Sequence, residues 1–166
     1  MTRDDLATFA EWLARPHWRE WWGEPETELA MLVDMVEGRD ATRPFIFSRD
    51  GRPLGYIQLW FVGPHQEPAW TNDNPWLAEL PPGAVGVDLS IAAEEDLSRG
   101  LGSAALRAFA TEVRRAGAAT IVIDPDIDNA RAVRAYSRAG FRPVAALEGR
   151  SGDVLIMQFH PDSETP

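Results

Sequence analysis

The chain has 166 residues, 45% of them hydrophobic, and a formal net charge of −10. That is enough to bury one core, and too acidic for a nucleic-acid partner, which would need Lys and Arg to meet its phosphates. There is no cysteine, so neither a disulfide nor a thiol nucleophile is available. No apolar run is long enough to span a membrane. The start, Met1-Thr-Arg-Asp-Asp5, leads into an amphipathic segment rather than an apolar leader, so a cytoplasmic protein without a membrane partner is expected. The acidity suits a cationic ligand, although it also serves solubility.

Thr2 caps a first helix with Asp4 and Asp5 in its first turn, and Leu6, Phe9, Ala10 and Leu13 recur at helical spacing until Pro16. The string His17-Trp-Arg-Glu-Trp-Trp-Gly23 is dense in large rings. Core filling accounts for some of them. Adjacent Trp21 and Trp22 cannot both point inward from one regular face, however. One of the pair, taken as Trp22, is expected on a ligand-facing wall, where aromatic faces suit cations. Pro25 opens a second helix over 26–37, with Leu29, Leu32, Val33 and Val36 on its inner stripe. Residues 44–48 and 53–62 read as a hairpin around Asp50-Gly51.

Residues 63–83 hold five prolines and two tryptophans and keep no regular period. A segment this long is functional or disordered, and Trp70 and Trp76 argue against disorder, so an ordered flap over a binding site is expected. A strand over 84–92 follows, with Asp88 in its middle. A helix runs to Ala116, and a short, continuously apolar strand over 119–124 suits the centre of a sheet. Asp128 or Asn129 caps a helix through Ala139 that Gly140 closes. Segments 141–148 and 153–160 make a final strand pair around a 149–152 turn, and 161–166 is a polar, mobile tail. No repeat or linker splits the chain, so a single domain over 1–166 is expected. Strand–helix–strand units in the second half imply a parallel pair within a mixed central sheet flanked by helices, an α/β (α+β) fold.

The stretch Leu97-Ser-Arg-Gly-Leu-Gly-Ser-Ala104 turns a loop into a helix at Gly100 and Gly102. Glycines there let a ligand approach the backbone, and the first N–H groups, those of Leu101, Gly102, Ser103 and Ala104, face it at the positive end of the helix dipole. Such a start suits a phosphate or pyrophosphate; an ordinary helix start is the competing reading. Gly100-x-Gly102-x-x-Ala105 formally fits a dinucleotide fingerprint, but seven residues separate the preceding strand from Gly100, which is the wrong geometry for that turn.

A mid-strand Asp such as Asp88 is disfavoured by propensity and costly to bury unpaired, which favours a functional role over a salt-bridged surface acid. Asp124 ends a parallel strand, where α/β sheets place ligands; capping beside Pro125 is its alternative. Glu67, three residues before Trp70, is a further candidate acid in the flap, with Trp70 beside it. His17, His65 and His160 are scattered without metal-ligand spacing or a nucleophile-elbow context, so neither a metal nor a covalent enzyme intermediate is expected.

Asn129-x-x-Ala132-x-x-x-Tyr136-x-x-x-Gly140-Phe141, after a strand and a Gly-x-Gly helix start, resembles the acetyl-CoA-binding region of the GNAT acetyltransferases. Within that superfamily the chain is similar to the aminoglycoside 6'-N-acetyltransferases. The matching stretches are Glu11-Trp-Leu13, Glu20-Trp-Trp-Gly23, Pro53-Leu-Gly-Tyr-Ile-Gln58, Gly86-Val-Asp-Leu-Ser90, Gly100-Leu-Gly102 and Asp124-Pro125. Three residues before Gly100, where that superfamily usually has Gln or Arg, stands Leu97, with Arg99 the nearest basic residue. The resemblance implies transfer of an acetyl group from acetyl-CoA, used as co-substrate, to a primary amine of a polycationic small molecule. It implies that Asp88 contacts that amine and acts as base, and that Asp124 holds ammonium groups. It further implies that Tyr136 approaches the thioester sulfur and that Asn129 bonds coenzyme A. The chain is expected to be a monomer or weak homodimer. Two alternatives stand beside this reading: an acetyltransferase for a siderophore-type amine, another small amine or a protein N-terminus, and a non-catalytic acyl-CoA-binding module.

Overall fold

The computed structural model describes residues 1–161; the expected tail lies, beyond Pro161, outside the described residues. Six strands, β1 (Arg43–Arg49), β2 (Arg52–Phe61), β3 (Val85–Ile91), β4 (Ile121–Ile123), β5 (Phe141–Pro143) and β6 (Met157–Phe159), form one sheet in the order β1-β2-β3-β4-β6-β5. All neighbours are antiparallel except β3 and β4, which are parallel as the strand–helix–strand pattern requires. Asp50 and Gly51 take φ of 52° and 76°, the positive pair that matches a tight hairpin turn to the twist of β1 and β2.

Alternation along β2 divides the core. Ile57, Leu59 and Phe61 face α5 (Leu101–Arg115) and α6 (Ala130–Ala139), packing with Leu106, Ala110 and Tyr136. Tyr56 faces the other way, into a cluster with Phe9, Leu13, Trp18 and Leu32. That cluster is supplied by α1 (Leu6–Leu13), α2 (Pro16–Arg19) and α3 (Pro25–Val36). Pro16 thus ends one helix and starts the next, at the first helical position where its missing N–H costs nothing.

Residues 63–83, expected as a flap, line no part of the cavity between β3 and β4. They fold into short helical pieces, among them α4 (Pro68–Thr71), and Trp76, Leu77 and Leu80 sink into a third cluster with Val62, Ala84, Val122 and Ile156. The Gln66 amide ties the segment inward by donating to the carbonyls of Leu77 and Leu80, each at 2.8 Å. The final strand pair is also shorter than expected. Pro143 has no N–H to continue a ladder, and Ala145–Leu147 turn as a 3₁₀ helix that buries Leu147. Among the described residues no helix is long and apolar enough to cross a membrane.

Candidate active site

β3 and β4 pair only at Val85↔Ile121 and Gly86↔Val122. Beyond these pairs the strands part, and Asp88 and Asp124 each lie two residues past the last one. A cavity of about 650 Å³ opens there. Its lining draws Gln58 from β2, Asp88 from β3 and Asp124 from the end of β4. One wall is His17, Trp21, Trp22, Gly23, Glu28 and Met31, from α2, the following turn and α3; the other is Gly100, Gly102 and Ser103 of the α5 start with Asn129, Ala132 and Tyr136 of α6.

The α5 wall is made of backbone. Gly100 has φ 81° and no side chain caps the helix. The first bond within the helix runs from the Ala104 N–H to the Gly100 carbonyl at 3.0 Å, leaving the N–H groups of Leu101, Gly102 and Ser103 ahead of the ladder. The Ala104 N–H is thus taken by the Gly100 carbonyl, and neither Leu101 nor Ala104 is among the residues lining the cavity. The loop before it is anchored: buried Asp96 takes Arg52 Nη2 at 2.6 Å and Arg99 Nη1 at 3.4 Å. Asn129 caps α6, its Oδ1 accepting the Ala132 N–H at 3.0 Å.

Eight of the expected residues meet around this cavity: Asp88, Asp124, Tyr136, Trp22, Gly100, Gly102, Ser103 and Asn129. Glu67 and Trp70 do not. Both are exposed, with Trp70 set edge-on against His65 at 4.6 Å between ring centroids. Trp21 and Trp22 both line the cavity, because α2 stops at Arg19 and the pair sits in a turn rather than on one helical face. Trp18 fills the core instead, fully buried, its Nε1 donating to the Ile91 carbonyl at 2.8 Å. The Trp21 Nε1 is buried without a hydrogen-bond partner among the described residues.

Two residues were not singled out from the sequence. Gln58 stands opposite Asp88 in the β2–β3 register and donates from Nε2 to its Oδ2 at 2.7 Å. A polar residue on an otherwise apolar strand was the available signal. Glu28, in the first turn of α3, reads in sequence only as an acid complementing a helix dipole. A Cβ on Gly23 would fall 2.5 Å from its Oε1, so glycine there lets the carboxylate reach the Gly23 backbone N–H.

The family described as "Acetyltransferase (GNAT) domain" matches residues 2–148. The chain belongs to the GNAT acetyltransferases. It is 32% identical over 165 residues to the aminoglycoside N(6')-acetyltransferase type 1 of Klebsiella pneumoniae, across 95% of this chain and 79% of that one. Among solved structures, the aminoglycoside acetyltransferase AAC(6')-Ib in complex with coenzyme A and kanamycin is 30% identical with a TM-score of 0.77, covering 95% of this chain and 90% of that one. AAC(6')-Ib in complex with ribostamycin and coenzyme A is 32% identical with a TM-score of 0.77, covering 96% and 89%.

In this GNAT acetyltransferase the cavity carries both signs of charge: Arg131, Arg134 and Arg138 of α6 line it together with the acids. Burial raises the Asp88 carboxyl, opposed by the hydrogen bond from Gln58, by Trp60 and by the nearby charge of His65. Burial raises Asp124 further, Asp88 adds to the rise, and only its own backbone N–H opposes it. Donors around Asp88 favour its charge, and that charge disfavours ionisation of Asp124. Burial also raises Glu28, with Asp88 adding to it. Tyr136 is pushed up by burial and then by both aspartates, so its hydroxyl keeps its proton as a hydrogen-bond donor. Among the described residues none of Asp88, Asp124 and Glu28 has an Arg or His within ion-pair distance, and no cluster of His, Asp and Glu suits a metal.

Proposed function

We propose that the protein transfers the acetyl group of acetyl-CoA to the 6'-amino group of an aminoglycoside, by direct attack in a ternary complex. The observation that carries this reading is one cavity with two unlike sides: free backbone N–H groups at the α5 start, and three carboxylates, Glu28, Asp88 and Asp124, none of them within ion-pair distance of an Arg or His among the described residues. The first side suits a pyrophosphate. The second suits an acceptor bearing several ammonium groups, with the faces of Trp21 and Trp22 beside it. The named substrates of the similar enzymes support the same reading.

Asp88, whose neighbours Gln58, Trp60 and His65 oppose the rise that burial imposes, takes a proton from the acceptor ammonium. The freed amine nitrogen attacks the thioester carbonyl carbon. As the C–N bond forms and the C–S bond breaks, the sulfur leaves as thiolate, and the Tyr136 hydroxyl donates to it. The amide nitrogen sheds its remaining extra proton, so acetyl-CoA and ammonium end as acetamide, free thiol and one proton. Asp124 and Glu28 hold the other ammonium groups, Glu28 in the role first expected of Glu67. Leu101, Gly102 and Ser103 contribute backbone donors to the pyrophosphate, and Asn129 holds the α6 start that borders it. The discriminating experiment compares kanamycin with an aminoglycoside that carries a hydroxyl at the 6' position. Acetylation of the first at its 6' nitrogen and none of the second is expected; equal acetylation of both would overturn the assignment of the position.

A further inference from the structure

β2 and β3 pair with Gln58 opposite Asp88 and Trp60 opposite Gly86. Residues 56, 58 and 60 share one face of β2, the face on which Asp88 stands. Along that face runs a chain of hydrogen bonds. Tyr56 Oη donates to Gln58 Oε1 at 2.7 Å, and Gln58 Nε2 donates to Asp88 Oδ2 at 2.7 Å. Tyr56 is 1% exposed and held by rings on three sides, Phe9, Trp18 and Trp22. Its hydroxyl is thereby fixed in place. A carboxamide has one accepting and one donating end. The tyrosine hydroxyl occupies the accepting end and the NH₂ end faces Asp88, as an ionised carboxylate, which only accepts, requires.

The opposite pair completes the arrangement. A Cβ at position 86 would lie 1.9 Å from Trp60 Cε2 and 2.5 Å from its Nε1. Glycine there lets the indole approach β3 closely, where its N–H also favours the charged form of Asp88. Glycine 86 is thus required for close approach, not for an unusual φ.

We propose that Tyr56 and Gln58 are positioning residues for the base: they occupy Oδ2 of Asp88, set the plane of its carboxylate and leave Oδ1 to receive the acceptor's proton. This rests on the reading of Asp88 as base. The titratable and charged groups around Asp88 are Glu28 from α3, Tyr56 from β2, His65 from the turn after β2, Asp124 from the end of β4 and Tyr136 from α6. Glu28 and Asp124 oppose its ionisation when charged themselves, whereas Gln58 favours it. Removing the Gln58 N–H takes away an interaction with the charged form, so the Asp88 carboxyl rises and the acidic limb of the rate profile moves to higher pH.

The test uses Gln58→Met, which keeps length and loses the donor, and Tyr56→Phe, which frees the amide to turn. The profile of kcat/KM for kanamycin is measured against pH at saturating acetyl-CoA. In parallel, ¹³C-carboxyl-labelled aspartate is titrated by NMR in the ligand-free protein, with the Asp88 resonance assigned by its absence from Asp88→Asn. Gln58→Met is expected to move both by about one pH unit upward, a loss of about tenfold in kcat/KM below the limb. Tyr56→Phe is expected to give a smaller shift in the same direction, with coenzyme A affinity unchanged in both. Lower activity in Gln58→Met with an unmoved limb and an unmoved resonance would overturn the proposal, since a merely structural role would produce that. If Gln58→Met does not fold, Tyr56→Phe decides by the same criterion. Full turnover by Asp88→Asn would remove the base reading and this proposal with it. An inactive Asp88→Asn beside an unmoved Gln58→Met would remove the proposal alone.

Discussion

The two sides of the cavity are built on different principles. The α5–α6 side comes from one stretch of chain, and at the α5 start it presents backbone N–H groups made accessible by Gly100 and Gly102. The side we propose for the acceptor gathers Trp21, Trp22, Glu28, Gln58, Asp88 and Asp124 from segments far apart in sequence, and presents side-chain charge. Backbone donors neither titrate nor change with side-chain identity, whereas carboxylates crowded out of water raise one another. Coenzyme binding should therefore be nearly indifferent to substitutions that abolish acceptor handling, and the reverse.

The largest break in that symmetry is expected from Asp88→Asn. The amide keeps the shape but cannot take a proton. Turnover should fall by about 100-fold or more, as for loss of a general base, while calorimetry shows unaltered coenzyme A binding. Asp124→Asn should act mainly on binding. Loss of a charge-assisted hydrogen bond, worth about 1.5–3 kcal/mol, corresponds to roughly tenfold to a hundredfold weaker aminoglycoside affinity. Binding is to be read directly, because the Michaelis constant need not equal a dissociation constant. From the other side, Gly102→Val should weaken coenzyme A by about tenfold through intrusion on the approach to the backbone, leaving aminoglycoside affinity intact. The fold should tolerate it, since a Cβ at 102 makes only ordinary contacts, 3.4 Å to Leu89 Cδ2 and 3.5 Å to Ile91 Cδ1.

The smallest effect is on stability. The Asp124 carboxyl lies well above its ordinary value in the fold, first through burial and then through Asp88. The unfolded chain gives up this proton at lower pH than the folded one. Its stabilising contribution is therefore whole below about pH 4 and is lost as pH rises through the folded value. Asp124→Asn cannot ionise, so its melting temperature should fall less steeply than that of the parent between about pH 4 and pH 7. An identical slope for the two proteins would count against a raised Asp124.

This contrast also explains what the sequence reveals. The coenzyme side is legible because a helix start that admits a ligand needs glycine at fixed places, and because caps such as Asn129 and Gly140 leave local marks. Asp88 and Asp124 are legible because an acid in or at the end of an apolar strand is costly without a purpose. Glu28 is not legible, since an acid in the first turn of a helix is what a helix dipole favours anyway. That Glu67 and Trp70 lie away from the cavity has a related cause. Aromatic content in segment 63–83 signalled order, but order arose from Trp76 and Leu77 packing on the sheet, and Trp70 stayed outside. Gln58 required knowing the strand register, which the hairpin turn at Asp50-Gly51 sets for β1 and β2 but not for β3.

The measurement that bears most directly on a backbone-lined coenzyme side facing a carboxylate-lined acceptor side is the release of free thiol from acetyl-CoA with two acceptors in turn, kanamycin and a simple amine carrying a single ammonium group. Rapid thiol release with kanamycin, suppressed as ionic strength rises, and release no faster than background hydrolysis with the simple amine is the result this account requires. Equal rates with the two amines, or no release above hydrolysis with kanamycin, would contradict it.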